Sequence, residues 1–269
     1  GNQCIQTTGT SNSANGGGLY NQNSTFNITR CNITGNASGV AVGDNGFAGG
    51  FRALGSAGPT ITNIIESNLS NNTATGAYAG FLNVGITNQT AEVTLNLDRT
   101  LISNNTATDV DAIGGGGLNL TSGATGPVTT AATNTTVANN TAPDLAGLNN
   151  EGATATLVTT FVTVTGNVAN NTLNAEGGGI WQGLVVGGST FIANTISAGN
   201  TADPSFGPDL FGTINSIDYN HIGFVGAGTT FTPGTGDVVG TDPNLGPLQN
   251  NGGLTSTRLP NAGSRVLNA

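Results

Sequence analysis

Short runs in which apolar and small polar residues alternate recur along the whole chain. Five of them superpose without gaps, with an aliphatic third residue and Asn at the sixth position, and a sixth run follows with one extra residue. The runs are residues 31–36, 67–72, 100–105, 135–140, 162–167 and 194–200. Alternation with a period of two indicates strands with one buried face. The aliphatic column that these strands predict is Ile33, Leu69, Ile102, Val137, Val164 and Ile196.

A second column consists of glycine clusters, each followed by an apolar residue. The clusters are residues 16–18, 49–50, 80, 114–117, 147 and 177–179. Together the two columns define a repeat of roughly 27 to 37 residues. A β-propeller needs longer repeats with aromatic anchors, whereas this chain has one Trp and three Tyr. We therefore expect an all-β fold, a parallel β-helix of about seven coils.

The last part of the chain departs from this repeat. Six of the nine prolines lie after residue 200, and proline is poorly tolerated inside a central strand. An open end of a solenoid also presents unpaired strand edges that invite aggregation. We expect repeats over residues 1–228 and an irregular cap over residues 229–269 that packs on the last coil.

The Asn column has two interpretations. Inward-facing Asn side chains at one corner of successive coils would bond to one another in an amide ladder. Alternatively, these are ordinary turn residues, since Asn tolerates left-handed backbone. A ladder Asn would be buried, whereas a turn Asn would be exposed. The column consists of Asn36, Asn72, Asn105, Asn140, Asn167 and Asn200.

Cys4 and Cys31 are the only cysteines, and they lie about one repeat apart. Residues one coil apart in a stack come within the Cα spacing that a disulfide requires. We expect a Cys4–Cys31 bridge between the first two coils. The alternative is a pair of small buried thiols.

Charge narrows the classes of partner. Five Arg and no Lys face fourteen acidic residues, which gives a formal net charge of −9. Nucleic acid and anionic membranes are therefore excluded as partners, because both are bound through clustered Lys and Arg. No apolar run approaches the length of a membrane span, so we expect no membrane insertion of this chain. The sequence predicts no metal site and no cofactor.

Few residues suggest chemistry. Asp109 and Asp111 form, with the nearby Glu92 and Asp98, the only acidic cluster. It suits either a ligand loop or a solvated loop, and the solvated loop is the simpler interpretation. His221 is the sole histidine, and no nucleophile or second base lies near it in the sequence. No catalytic residue is predicted.

Two further sequence features suggest alternatives. Asn68 follows Glu66 in a sequence similar to the bacterial N-glycosylation signal, which makes it a candidate glycosylation site. The threonine-rich strands raise a minor alternative, an ice-binding solenoid, although coils of unequal length suit it poorly. The main alternative is a carbohydrate-active enzyme similar to pectate lyase or to a polysaccharide hydrolase.

Several motifs resemble a known family. The glycine and Asn columns are similar to repeats of the polymorphic outer membrane proteins of bacteria. Residues 207–210 (GPDL), 219–223 (YNHIG), 240–248 and 251–264 resemble, in that order, the choice-of-anchor Q domain. This resemblance implies a right-handed parallel β-helix on a bacterial cell surface. We therefore expect a non-enzymatic extracellular protein, structural or adhesin-like, that assembles end to end or contacts other surface components, with extracellular carbohydrate as a further candidate partner.

Overall fold

The chain folds as a parallel β-helix. The computed structural model describes residues 3–4, 13–15, 17–39, 45–75, 81–85, 91–108, 116–122, 126–171, 174–183 and 187–267. Four parallel sheets, in which each strand pairs with strands from the preceding and following coils, run along the axis of this part. The predicted fold class is thereby confirmed, with eight strands in each of the two largest sheets.

Each coil passes through the four sheets in a fixed order, and two of them meet at the first bend. What we call the long sheet contains Thr25–Thr29, Thr60–Ile65, Val93–Asp98, Val128–Thr133, Ala155–Thr160, Ser189–Ala193, Thr213–Asp218 and Thr230–Thr232. The short sheet contains Asn32–Thr34, Asn68–Ser70, Leu101–Ser103, Thr136–Ala138, Thr163–Thr165, Ile196–Ser197, His221–Ile222 and Val238–Val239.

The other two sheets complete the coil. The corner sheet contains Gln3–Cys4, Ala37–Ser38, Thr73–Ala74, Thr106–Ala107, Thr141–Ala142 and Val168–Ala169. The glycine-led sheet contains Leu19–Gln22, Phe51–Gly55, Phe81–Gly85, Leu118–Ser122, Leu148–Asn150, Ile180–Gln182 and Leu210–Phe211. Outside these sheets, Ser13–Asn15 pairs with Asn45–Phe47, and Pro204–Phe206 forms a 3₁₀ turn.

Two bends in each coil use one residue in left-handed backbone conformation. The first bend, between the long and short sheets, has positive φ at Arg30, Glu66, Arg99, Asn134, Phe161, Asn194 and Tyr219. The second bend, between the short and corner sheets, has positive φ at Gly35, Asn71, Asn104, Asn139, Gly166 and Gly199. Gly and Asn are the residues that adopt this conformation at least cost, which explains the Gly-Asn and Asn-Asn pairs of the repeat.

The aliphatic column is confirmed except at its last member. Ile33, Leu69, Ile102 and Val137 stack in register inside the short sheet and are buried, as is Val164. In the next coil, however, Ser197 pairs with Val164, whereas Ile196 pairs with the outward-facing Thr163. The prediction of Ile196 was therefore wrong by one residue, and the sixth run needs no extra residue.

The glycine column marks places where neighbouring coils touch. A Cβ atom on Gly147 would collide with the carbonyl oxygen of Gly179 in the next coil. A Cβ atom on Gly179 would lie 2.9 Å from Nδ2 of Asn200. These glycines have ordinary φ angles, so it is the close approach of backbone and Asn amides that excludes a larger residue.

The end of the chain differs from the predicted cap. Parallel pairing continues through Thr230–Thr232 and Val238–Val239, so the coils extend past the predicted boundary at residue 229. Residues 240–267, which we call the tail, then run back along the outside of the short sheet. In the tail, Arg258 Nη2 donates to Asn139 Oδ1 at 3.1 Å, and Thr255 Oγ1 donates to the carbonyl of Arg99 at 3.5 Å. The tail thus lies along the bends of coils far earlier in the chain.

Candidate functional site

The Asn ladder forms as predicted. All six side chains are buried, and in each step the Nδ2 of one Asn donates to the Oδ1 of the next at 2.9 Å. The same Oδ1 also accepts the backbone N–H of the preceding Asn at 3.0 to 3.1 Å. The alternative of exposed turn residues is therefore excluded for this column. The exposed turn role belongs instead to residues such as Asn104, one position earlier.

Each amide inside the ladder uses its full hydrogen-bonding capacity. The second Nδ2 proton donates to a carbonyl of the preceding coil, as from Asn105 to Leu69 at 3.1 Å and from Asn140 to Ile102 at 3.1 Å. Two donated and two accepted bonds satisfy the primary amide completely. The amide dipoles also point the same way along the axis, so neighbouring bonds polarise one another.

A buried carboxylate ends the ladder. Asp209 Oδ1 accepts both the backbone N–H and the Nδ2 of Asn200 at 2.8 Å. Burial raises the pKa of the Asp209 carboxyl, partly offset by hydrogen bonds from Asn200 and from the backbone of Phe224 and Gly199. The acid stands at the donor end of the row of amides, where a negative charge is favoured electrostatically. The sequence does not reveal this role, although Asp209 belongs to the GPDL motif of residues 207–210.

The row of buried polar residues at the first bend also ends on an aspartate, which the sequence did not reveal either. Asn220 Oδ1 accepts the backbone N–H of Thr195 at 3.0 Å, and Asn220 Nδ2 donates to Asp237 Oδ1 at 3.0 Å. Asp237 also accepts the backbone N–H of Asn220 at 2.6 Å. Buried polar residues at both bends are thus followed by an aspartate near the C-terminal end of the coils.

The predicted disulfide is wrong. Cys31 is a free and exposed thiol, whose Sγ donates to the carbonyl of Thr29 at 3.3 Å. Cys4 lies in the corner sheet, where it pairs with Ser38. The stacking partner that Cys31 does have, one coil further on, is Ser67. The two cysteines are thus about seven residues out of register, because coils of unequal length place residues one repeat apart at different positions in the coil.

The remaining sequence candidates do not converge on one site. Asp109 and Asp111 lie outside the described residues. Asn68 begins a strand of the short sheet with a half-buried side chain, and its glycosylation stays a prediction. Among the described residues, no three His, Cys, Asp or Glu side chains gather as a metal site. None of the helices described has the length and hydrophobicity needed to cross a bilayer.

A cleft lies where the tail meets the last coils, and we call it the tail cleft. Its floor is formed by Ile196, His221 and Val238, which stack on the outer face of the short sheet. One wall consists of first-bend residues from successive coils, and the other of tail residues. The cleft has a volume of about 230 Å³, and its walls contain Phe161, Asn194, Tyr219, Arg265 and Val266.

His221 bonds to the start of the tail. Its Nε2 lies 2.8 Å from the carbonyl oxygen of Thr241, which can only accept, so Nε2 carries the proton. The Nδ1 atom is buried and has no hydrogen-bond partner. His221 therefore ties the start of the tail to the floor of the cleft.

Comparison with protein-family models, with curated proteins and with solved structures finds no match to this chain.

Proposed function

We propose that this protein is a non-enzymatic β-helix of a bacterial cell surface, with a structural or adhesin-like role. The observation that carries the proposal is the saturated Asn ladder, which runs through six coils and ends on Asp209. Such an interior holds the coils in register along one axis, which suits a structural role. The extracellular placement, and kinship with the choice-of-anchor Q domain and polymorphic outer membrane proteins, rest on the motif resemblance alone.

End-to-end assembly is part of this proposal. Among the described strands, Thr25–Thr29 and Asn32–Thr34 begin their sheets, while Thr230–Thr232 and Val238–Val239 end the same two sheets. Each of these strands is paired on one side only, and an unpaired strand edge is a template for another chain. Because the tail runs along the side of the helix, joining of first and last strands would give a filament that need not close.

Electron microscopy of the purified protein tests this assembly. The eight strands of the long sheet span about 34 Å at roughly 4.8 Å per step. We expect rods whose lengths increase in steps as concentration rises. Monomers at every concentration would refute the filament. Release of products from acidic polysaccharides, with or without Ca²⁺, would refute the non-enzymatic role in favour of a carbohydrate-active enzyme.

A further inference from the structure

The wall of the tail cleft carries aromatic residues where the backbone disfavours them. Phe161 and Tyr219 have φ angles of 55° and 56°, in the left-handed region. Every coil has positive φ at this bend, and Arg30, Glu66 and Arg99 adopt it in earlier coils, so the fold imposes this conformation on whatever residue stands there. Gly or Asn would adopt it at lower cost. Asn194, between them in the stack, is such a residue.

These two aromatic rings also face water. Phe161 is 58% exposed, and Tyr219 is 49% exposed with its ring lying against Gly236. They occupy the same position in coils two steps apart, so their backbones are separated by about 9 to 10 Å. This spacing is comparable to the length of a disaccharide. Both rings remain about half exposed or more on the wall of a cleft, with the polar Asn194 between them, which favours a role in binding.

In the wall formed by the first-bend residues, the three backbone N–H groups are already bonded within the protein. The N–H of Phe161 donates to Ala193, that of Asn194 to Asp218, and that of Tyr219 to Thr235. A peptide bound as an added strand needs free main-chain groups, so this wall does not suit one. Recognition must use side chains, namely two aromatic faces, one exposed amide and one guanidinium. Flat apolar faces edged by polar groups suit a pyranose ring, which has C–H faces and hydroxyl edges.

An arginine lines the cleft although the protein is acidic. None of the ion pairs among the described residues includes Arg265, since they join Arg30 and Arg99 to Glu66 and Asp98. Arg265 is exposed at the cleft, where its planar guanidinium matches a carboxylate. The net charge of −9 opposes the approach of a polyanion, so a ligand with a single carboxylate fits better.

We propose that the tail cleft binds a short saccharide in which a pyranose ring carries one carboxylate. The ring stacks on Tyr219 and Phe161, the hydroxyl groups bond to Asn194, and the carboxylate pairs with Arg265. This inference deepens the proposed adhesin-like role, on which it rests, by naming a class of ligand.

Saturation-transfer NMR tests the proposal with glucuronate, galacturonate and N-acetylneuraminate, alongside glucose, galactose and acetate. We expect transfer from the protein to the acidic sugars, and weaker transfer to the neutral ones. Arg265→Gln should weaken acidic-sugar binding by about tenfold, the loss of one charge-assisted bond pair. Phe161→Asn and Tyr219→Asn should abolish detectable binding while leaving the thermal unfolding midpoint unchanged or higher, because Asn tolerates the left-handed backbone.

Tyr20→Ala is the matched control, since Tyr20 is also exposed but lies at the other end of the helix. Absence of transfer to all three acidic sugars would overturn the proposal. So would binding that persists in all three cleft variants, or acetate competing as well as the sugars, which would indicate a plain anion site. A lower unfolding midpoint in the two Asn variants would show that the rings are structural. Microscopy of the same sample reports separately on the proposed filament, so either idea can fail alone.

Discussion

Substitution of Asn105 by Ala tests the ladder at its centre. The Oδ1 of Asn105 accepts the backbone N–H and the Nδ2 of Asn72, at 3.0 and 2.9 Å. Its Nδ2 donates to the carbonyl of Leu69 and to Asn140 Oδ1, at 3.1 and 2.9 Å. The alanine variant therefore leaves two buried donors on Asn72 and weakens two acceptors.

The expected cost follows from the donors. A buried donor left without a partner costs about 1 to 3 kcal/mol, so two donors cost about 2 to 6 kcal/mol. This is a large fraction of the stability of an ordinary domain, about 5 to 15 kcal/mol. The neighbouring Asn104 is an exposed residue at positive φ, a conformation that glycine also adopts without steric cost. Asn104→Gly should change the free energy of unfolding by about 0.5 kcal/mol or less.

Urea titration followed by far-ultraviolet circular dichroism measures both variants. Because solenoids unfold in parts, hydrogen exchange of the Asn72 amide supplies a local measure. That exchange should accelerate in Asn105→Ala and stay unchanged in Asn104→Gly. If the two variants prove equally stable, the ladder contributes nothing beyond ordinary turn formation and the reasoning is refuted.

The remaining predictions concern coil contact, the tail and pH. Gly147→Ala should cost about 1 to 3 kcal/mol or more in a urea titration, because its Cβ meets the next coil. Gly58→Ala, whose Cβ finds no atom nearer than 3.9 Å, should be close to neutral, and equal effects would contradict the close-contact explanation. Arg258→Ala removes the bond to Asn139, so exchange across residues 246–264 should rise by about fivefold while that of the coils stays constant; an unchanged tail would show that other contacts hold it. The folded pKa of Asp209 is raised, so its contribution to stability is present below the ordinary pKa of Asp and is lost as pH rises through the folded pKa. The parent should therefore lose stability as pH rises across that window, whereas Asp209→Asn should not, so the urea midpoint of the variant minus that of the parent should increase with pH. A difference that stays constant would contradict the raised pKa of Asp209.

The hydrophobic alternation and the Gly and Asn columns of the sequence predicted much of the fold. The period of two in the runs around Ile102 and Val137 fixed which side of the short strands is buried, because side chains alternate across a strand. The recurrence of Gly and Asn at constant offsets identified the coil and the ladder, because in a stacked solenoid the same position recurs at every turn. The ladder residues could thus be named without coordinates.

The register between coils, the ends of the stack and the contacts between distant segments could be known only from the tertiary structure. Cys4 and Cys31 lie one repeat apart in sequence, but loop lengths vary between coils, and only strand pairing shows that Cys4 stacks beneath Ser38. The ladder ends on Asp209, which is not part of the recurring Asn column, so the repeat does not predict it.

The tail cleft also lay beyond the sequence, since it brings Arg265 to first-bend residues of coils much earlier in the chain. No local periodicity encodes that approach. The sequence by itself determined the coil and its buried columns, because those are set by neighbours one repeat away. Only the tertiary structure decided where the stack ends and what covers its side, because those contacts join segments that share no repeat.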